Sequence, residues 1–201
     1  MKRNILTDKH QIVITGSVGL SGAYTLLREY YEELHKRYSC DFLEPVFGYP
    51  DMFSCQREQE LLKELPYDCF AKASYGGIFG ALFQLAYEMD MGIRVDLERI
   101  PICQQVIEIA EFFQLNPYLL HSYGSLVIAT LNGERLVSEL KRQGLLAVVA
   151  GYVTKEKARI VYLNEEERFL IPPRRDELVS CFGEGYVKQH FLKQISIFQK
   201  G

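Results

Sequence analysis

The sequence predicts an α/β (α+β) domain of three layers, a mixed sheet covered by helices. Three observations lead there. β-prone runs alternate with helix-periodic segments along most of the chain. Two of those runs, "SLVIAT" and "LLAVVAGYV", are apolar without alternation, a character that only cover on both faces of a sheet satisfies. With 201 residues at 48% hydrophobic content, the chain is also long enough to bury one sizeable core. The expected organisation is a single domain over residues 1–181 and a C-terminal tail over residues 182–201.

In chain order, "QIVIT" (Gln11 to Thr15) is a short strand, and "GSVGLSG" (Gly16 to Gly22) turns the chain into a helix, "AYTLLREYYEELHKRY". Leu26, Tyr30, Tyr31 and Leu34 form its apolar arc, opposite Arg28, Glu32, Glu33 and Lys36. The two prolines of "CDFLEPVFGYPDMF" (Cys40 to Phe53) predict a loop, after which Ser54 caps a shorter helix, "SCQREQELLKEL". "YDCFAKA" reads as a short strand or an extended approach to the glycine pair Gly76-Gly77. The next helix, "GIFGALFQLAYEMD", is apolar over so much of its circumference that two packing neighbours are expected.

"GIRVDLERIP" alternates Ile93, Val95 and Leu97 with Arg94 and Asp96, the period of a half-buried strand. Pro101 suits a first helical position because its missing N–H has no partner there, and Ile102, Val106, Ile109 and Phe113 continue at helical spacing. After a turn at Asn116-Pro117, "SLVIAT" is a core strand. "NGERLVSELKRQG" is a helix started at Asn132 or Gly133 and stopped by Gly144. "LLAVVAGYV" and "KARIVYL", separated by the polar "TKEK", are expected to form a hairpin or an edge pair. Beyond "PPRRDEL" the regularity weakens, and Phe191, Leu192, Ile195 and Phe198 suggest a small docking helix.

A formal charge of −3 and a pI near 5.9 give no positive excess for collecting a phosphate backbone, so nucleic acid is not an expected partner. The sequence has no apolar run of membrane-spanning length, and "MKRNILTDKH" becomes polar before any signal-like core forms; Met1 and this polar lead-in read as a natural start, and the expected address is cytoplasmic. The cysteines (Cys40, Cys55, Cys69, Cys103 and Cys181) lack the CxxC pairing of a zinc or dithiol site, and no metal site is expected. Cys55 and Cys103 stand near predicted helix starts, where a thiolate is favoured, but no His or Asp stands at a telling spacing.

Two glycine turns have the outline of anion sites. Gly16, Gly19 and Gly22 precede a helix without a Walker lysine or a GxGxxG register. In "AKASYGGIFGAL", Lys72, Ser74 and the N–H groups of Gly76 and Gly77 are all donors that could hold a phosphate or other anion; the alternative is a solvated lysine and glycines that permit close backbone approach. His121, Ser122 and Gly124 form a further turn, and a structural histidine is weighed there against a general base. Asp96, Glu98 and Arg99 after a strand, and Glu108 and Glu111 on a helix, are explained by solvated edges and faces.

From "ASYGGIFGALFQLAYEMDMGIRVDLERIPICQQVIEIAEFFQLNPYLLHSYGSLVIAT" through "NGERLVSELKRQGLLAVVAGYVT", the sequence resembles the C-terminal domain of the aminoimidazole ribonucleotide (AIR) synthase superfamily, which includes the PurM and HypE proteins, in particular its hydrogenase-maturation, AIR synthase-related branch. The resemblance implies a PurM C-terminal-domain-like fold. Full-length members bind ATP between this domain and an N-terminal one that contributes most of the magnesium-binding aspartates, and the His121 turn faces the cleft between them. The family's His-Asp-x-Thr-x-Gly-Gly becomes Ala71, Lys72 and Ser74 here, with Gly76 and Gly77 kept. A protonated lysine has no lone pair for magnesium, so the isolated chain is expected to be inactive as an ATPase or kinase, with no catalytic residue and no cofactor of its own. ATP or another phosphate-containing ligand is expected only with a partner domain.

The expected role is a non-catalytic stand-alone domain that binds a partner protein or a small anionic ligand. The alternative is one half of a split ATP-dependent enzyme, completed by a separately encoded N-terminal domain. Either way a homo-oligomer or a separate protein partner is expected, with Tyr24, Leu27 and Tyr31 of the first helix and Phe191, Ile195 and Phe198 of the tail as the candidate surface.

Overall fold

The computed structural model describes residues 7–48 and 54–198. Its strands are Gln11–Thr15 (β1), Cys69–Lys72 (β2), Gly92–Asp96 (β3), Leu126–Thr130 (β4), Ala147–Thr154 (β5), Arg159–Leu163 (β6) and Glu166–Phe169 (β7). The helices are Leu20–Glu29 (α1), Tyr31–His35 (α2), Cys40–Phe47 (α3), Gln56–Leu62 (α4), Gly77–Met89 (α5), Gln104–Phe112 (α6), Gly133–Arg142 (α7) and Leu178–Phe198 (α8). The strands make one mixed sheet in the order β2-β4-β1-β5-β3-β6-β7. Both apolar runs are inner strands, as their composition requires: β4 lies between β2 and β1, and β5 between β1 and β3.

Side-chain alternation on β4 divides the core. Val127 and Ala129 face α5, whose Ile78, Leu82, Leu85 and Ala86 are fully buried. Leu126 and Ile128 face the other way, toward Leu62 of α4 and Leu136, Val137 and Leu140 of α7. A third apolar cluster joins α1, α3, α6 and the start of α8. The side chain of Gln11 fixes α7 to β1, its Oε1 accepting from Gly133 N–H at 2.8 Å.

Several expectations are corrected. The helix predicted from Ala23 onward breaks at Tyr30 (φ −123°, ψ 36°), separating α1 from α2. The predicted loop starts with α3: Ser39 Oγ accepts from Phe42 N–H, and Pro45 is tolerated within so short a helix, while residues 49–53 lie outside the described set. α6 begins at Gln104 rather than Pro101, because the Pro101 carbonyl accepts from Val18 N–H at 2.8 Å and keeps the chain extended through Cys103. Its Val106, Ile109 and Ala110 bury in the cluster with α1 and α3, not on the sheet. On its Phe79 and Phe83 flank, α5 meets the Tyr118 ring, stacked on Phe79 at 5.1 Å, and the Arg159 guanidinium, 4.4 Å over Phe83.

β5 and β6 are not partners. β3 lies between them, antiparallel to β5 and parallel to β6. The turn after β5 crosses over the start of β3, where a Cβ on Gly92 would run into the carbonyl oxygens of Glu156 and Ala158. β3 has Ile93 and Val95 fully buried, which an edge position would leave half covered. β7, absent from the sequence reading, is exposed at all four positions, so it has no apolar alternation to detect.

α8 crosses the boundary expected at residue 181, with a non-helical Gly183 (φ 77°, ψ 160°) beside it. Phe182 stacks on Tyr30 at 5.5 Å, and Val187 is buried in the cluster with α1. The tail up to Val187 therefore docks on the first helix of its own chain. Leu27 is fully buried and Tyr24 packs edge-on against Phe47 at 6.1 Å, so the surface expected at that helix is largely internal. The side chains of Phe191, Leu192, Ile195 and Phe198 lie outside the described set.

Replacing Ile128 by Ala empties a fully buried position between β4 and the α4/α7 layer. Urea unfolding should show a loss of about 2–5 kcal/mol, whereas Tyr87→Ala, at a side chain 72% exposed, should stay within about 0.5 kcal/mol.

Candidate functional site at the double-glycine turn

The turn between β2 and α5 is built by close backbone approach. Gly76 and Gly77 both take left-handed conformations, at φ +79° and +63°. A Cβ on Gly77 would collide with the carbonyl oxygen of Tyr118 and stand 2.7 Å from that of Leu120. Gly77 N–H donates back to the Ser74 carbonyl at 3.0 Å, which closes the turn, and Phe79 N–H donates to Tyr118 at 3.2 Å.

The remaining donor, Gly76 N–H, is satisfied from within the chain by a residue that no sequence motif marked. It donates to Asp176 Oδ2 at 2.9 Å. The other carboxylate oxygen of Asp176 accepts from Leu178 N–H at 3.0 Å at the start of α8, and the backbone N–H of His121 is a further donor to the same group. Asp176 has no solvent exposure. Burial pushes its pKa up to about 6, against the opposing pull of the three N–H donors, with the Glu177 charge adding to the rise.

His121 and Ser122 belong to the same junction. The His121 carbonyl accepts from Gly22 N–H and from Ser21 Oγ, both at 3.0 Å, and its Nδ1 lies 3.0 Å from that hydroxyl. Ser122 Oγ accepts from Gly19 N–H at 2.8 Å and donates to the Leu120 carbonyl at 2.7 Å. Gly124, at φ +89°, lets its carbonyl pass close against Gly16. One connector between α6 and β4 thus fills both glycine turns, the one before α1 and the one before α5.

The structure therefore brings Gly76, Gly77, His121 and Ser122 together but separates Lys72 from them. Ala71 and Ala73 point into the α5 side of the sheet and Phe70 into the α4/α7 side. Alternation puts the exposed Lys72 with Phe70, where its charge acts on Cys55. Ser74 is half-buried at the turn. The other candidates have structural explanations: burial pushes the Cys55 thiol up, Asp96 caps Glu98 N–H at 3.0 Å, and Glu108 receives Tyr38 and Gln104. Cys103 precedes α6 half-buried. Among the described residues, no group of three or more His, Cys, Asp or Glu could hold a metal ion, and no helix is long and apolar enough to cross a membrane.

A magnesium-bound phosphate does not fit this turn. Lysine stands where a carboxylate would be needed and points across the sheet, and Asp176 is committed to backbone donors. What the junction does with these groups is hold α5, the connector and α8 in register.

With this geometry the chain belongs to the family described as AIR synthase related protein, C-terminal domain, which matches residues 10–164. A Methanocaldococcus jannaschii protein named for hydrogenase expression/formation is 25% identical over 154 residues, covering 75% of this chain and 44% of that protein. The hydrogenase maturation protein HypE of E. coli superimposes with a TM-score of 0.66 at 22% identity, covering 85% of this chain and 52% of HypE. HypE in a HypE–HypF complex gives 0.63 at 17% identity, covering 84% and 54%, and HypE in complex with ATP gives 0.62 at 16%, covering 85% and 52%. These likenesses establish the fold, and the chain spans about half the length of the proteins it matches.

Because the folded pKa of Asp176, about 6, lies above the ordinary 3.8, its contribution to stability is fully present below pH 3.8 and is lost as pH rises through about 6. Asp176→Asn keeps the shape and cannot titrate. The stability advantage of the natural chain over this variant, from urea melts at a series of pH values, should shrink by on the order of 3 kcal/mol between pH 4 and 7. An advantage that is flat across that range would refute the raised titration.

Proposed function

We propose that this chain works as the C-terminal-type half of a two-part, ATP-dependent assembly of the hydrogenase-maturation kind, completed by an N-terminal-type domain supplied separately. The observation that carries this reading is the coverage: nearly all of this fold aligns with about half of each HypE chain. One of those HypE structures holds ATP and another a protein partner. The chemistry of the junction agrees, since the groups at the double glycine are used for folding and leave metal binding to the other half.

The outer end of the sheet offers a surface for that half. Register places Arg94, Tyr152, Ile160, Tyr162 and Phe169 on one face of β3, β5, β6 and β7, opposite the face that α5 covers. Tyr152 is 43% exposed and Phe169 75%, with Ile171 just beyond at 71%. Aromatic and aliphatic side chains around the Arg94–Glu167 ion pair suit a protein interface with an apolar centre.

A second reading is a non-catalytic stand-alone domain; one observation favours its partner-protein form over a small-anion one, since a phosphate reaching Gly76 must first displace Asp176. The two readings separate in one reconstitution. Homogeneous chain with magnesium and ATP should show no turnover above the blank, and addition of an N-terminal-type domain from the same source should yield a complex that turns ATP over. A complex without turnover would favour the stand-alone reading. Turnover by the chain alone, lost in Lys72→Ala, would overturn both. Phe169→Asp should weaken the complex at least about tenfold while leaving the melting temperature unchanged.

A further inference from the structure

The elbow between α2 and α3 brings together three reactive side chains that the reading above does not use. His35 ends α2, and Cys40 is the first residue of α3. Cys40 Sγ lies 3.5 Å from His35 Nδ1, 3.8 Å from Nε2, and 3.5 Å from the Tyr31 hydroxyl. Tyr31 stacks on the His35 ring at 5.6 Å with 11° between planes, which holds the imidazole against the thiol.

Cys40 differs from the other thiols. It is exposed, whereas Cys55, Cys69, Cys103 and Cys181 are partly covered. Burial pushes the Cys55 and Cys181 thiols up and that of Cys69 to about 12, so those three resist forming the thiolate that reacts. Cys40 instead has the His35 imidazole in contact and is the first residue of α3. Glu32 on α2 and Glu44 on α3 act on the neighbouring Tyr31 hydroxyl. Asp41, Lys36 and Arg37 flank the elbow in sequence. With charges of both signs around it, the imidazole is the group that distinguishes this thiol.

We propose that Cys40 and His35 form a reactive thiol–imidazole pair, a site of reversible modification by small disulfides. The thiol proton passes to a ring nitrogen of His35, and the Cys40 sulfur attacks one sulfur of the incoming disulfide. The old S–S bond breaks as the new one forms. The departing thiolate takes the proton back from His35 and leaves as a thiol. Cys40 is oxidised, one sulfur of the disulfide is reduced, and no other oxidant is consumed. The mixed disulfide also removes the thiol from its contact with Tyr31, so modification is felt at the α2/α3 elbow.

The test treats the native full chain with a limiting amount of dithionitrobenzoate near neutral pH, following thiolate release by absorbance and the modified cysteine by peptide mass spectrometry. Cys40 should react first, and Cys40→Ser should abolish the fast phase. His35→Gln should slow it by about tenfold or more with an unchanged thermal melt. An equal rate in His35→Gln, or a Cys40 no faster in the native chain than in the urea-unfolded chain, would show exposure alone at work and overturn the pair. A His35→Gln chain that melts early is resolved by His35→Asn with the same readout.

Discussion

Three segments distant in sequence depend on one buried carboxylate. The start of α5, the connector that leads into β4 and the start of α8 each present a backbone N–H that cannot be paired within its own element, and Asp176 accepts from all three. A buried N–H without a partner costs about 1–3 kcal/mol, and a buried carboxylate without donors costs more. The two requirements meet at one point, and that ties the C-terminal segment to the sheet. Burial still outweighs the donors in setting the pKa, so the clasp holds its charge at a cost that rises with pH.

The same arithmetic applies at the two turns that have the outline of phosphate sites. The first turn of a helix exposes donors, and glycines let other backbone approach them. In this chain the approaching groups are its own: Ser122 Oγ at Gly19, the His121 carbonyl at Gly22 and Asp176 at Gly76. A helix start is an anion site only while nothing internal satisfies it. Lys72, the one cation in the motif, lies on the opposite side of the sheet because residues along β2 alternate.

The division of labour within the fold follows from this. The core between α5, the sheet and the α4/α7 layer is closed, and the glycine turns are spoken for from inside. Surface with unspent chemistry lies elsewhere: on the outer sheet face around Tyr152 and Phe169, and at the α2/α3 elbow around Cys40. Both regions lie away from the motifs that attract the eye in the sequence.

Local pattern was enough for elements whose cause is local. β1, β3, β4 and β5, the span of α5 and the Gly144 stop of α7 follow from hydrophobic period and glycine placement, and the family was legible in the stretch from the double glycine to β5. Local pattern failed where tertiary partners decide. β7 is exposed at every position, α3 carries a proline, Pro101 is held extended by Val18, and β6 pairs with β3 rather than with the preceding β5 because two buried side chains needed cover. The candidate site divided the same way. By itself the sequence determined the layered α/β class and the glycines that let backbones meet, because both rest on the periodicity and size of residues close together in the chain. Only the tertiary structure decided what meets those glycines, because a hydrogen bond between Gly76 and Asp176 leaves no trace at either position until the chain has closed the loop between them.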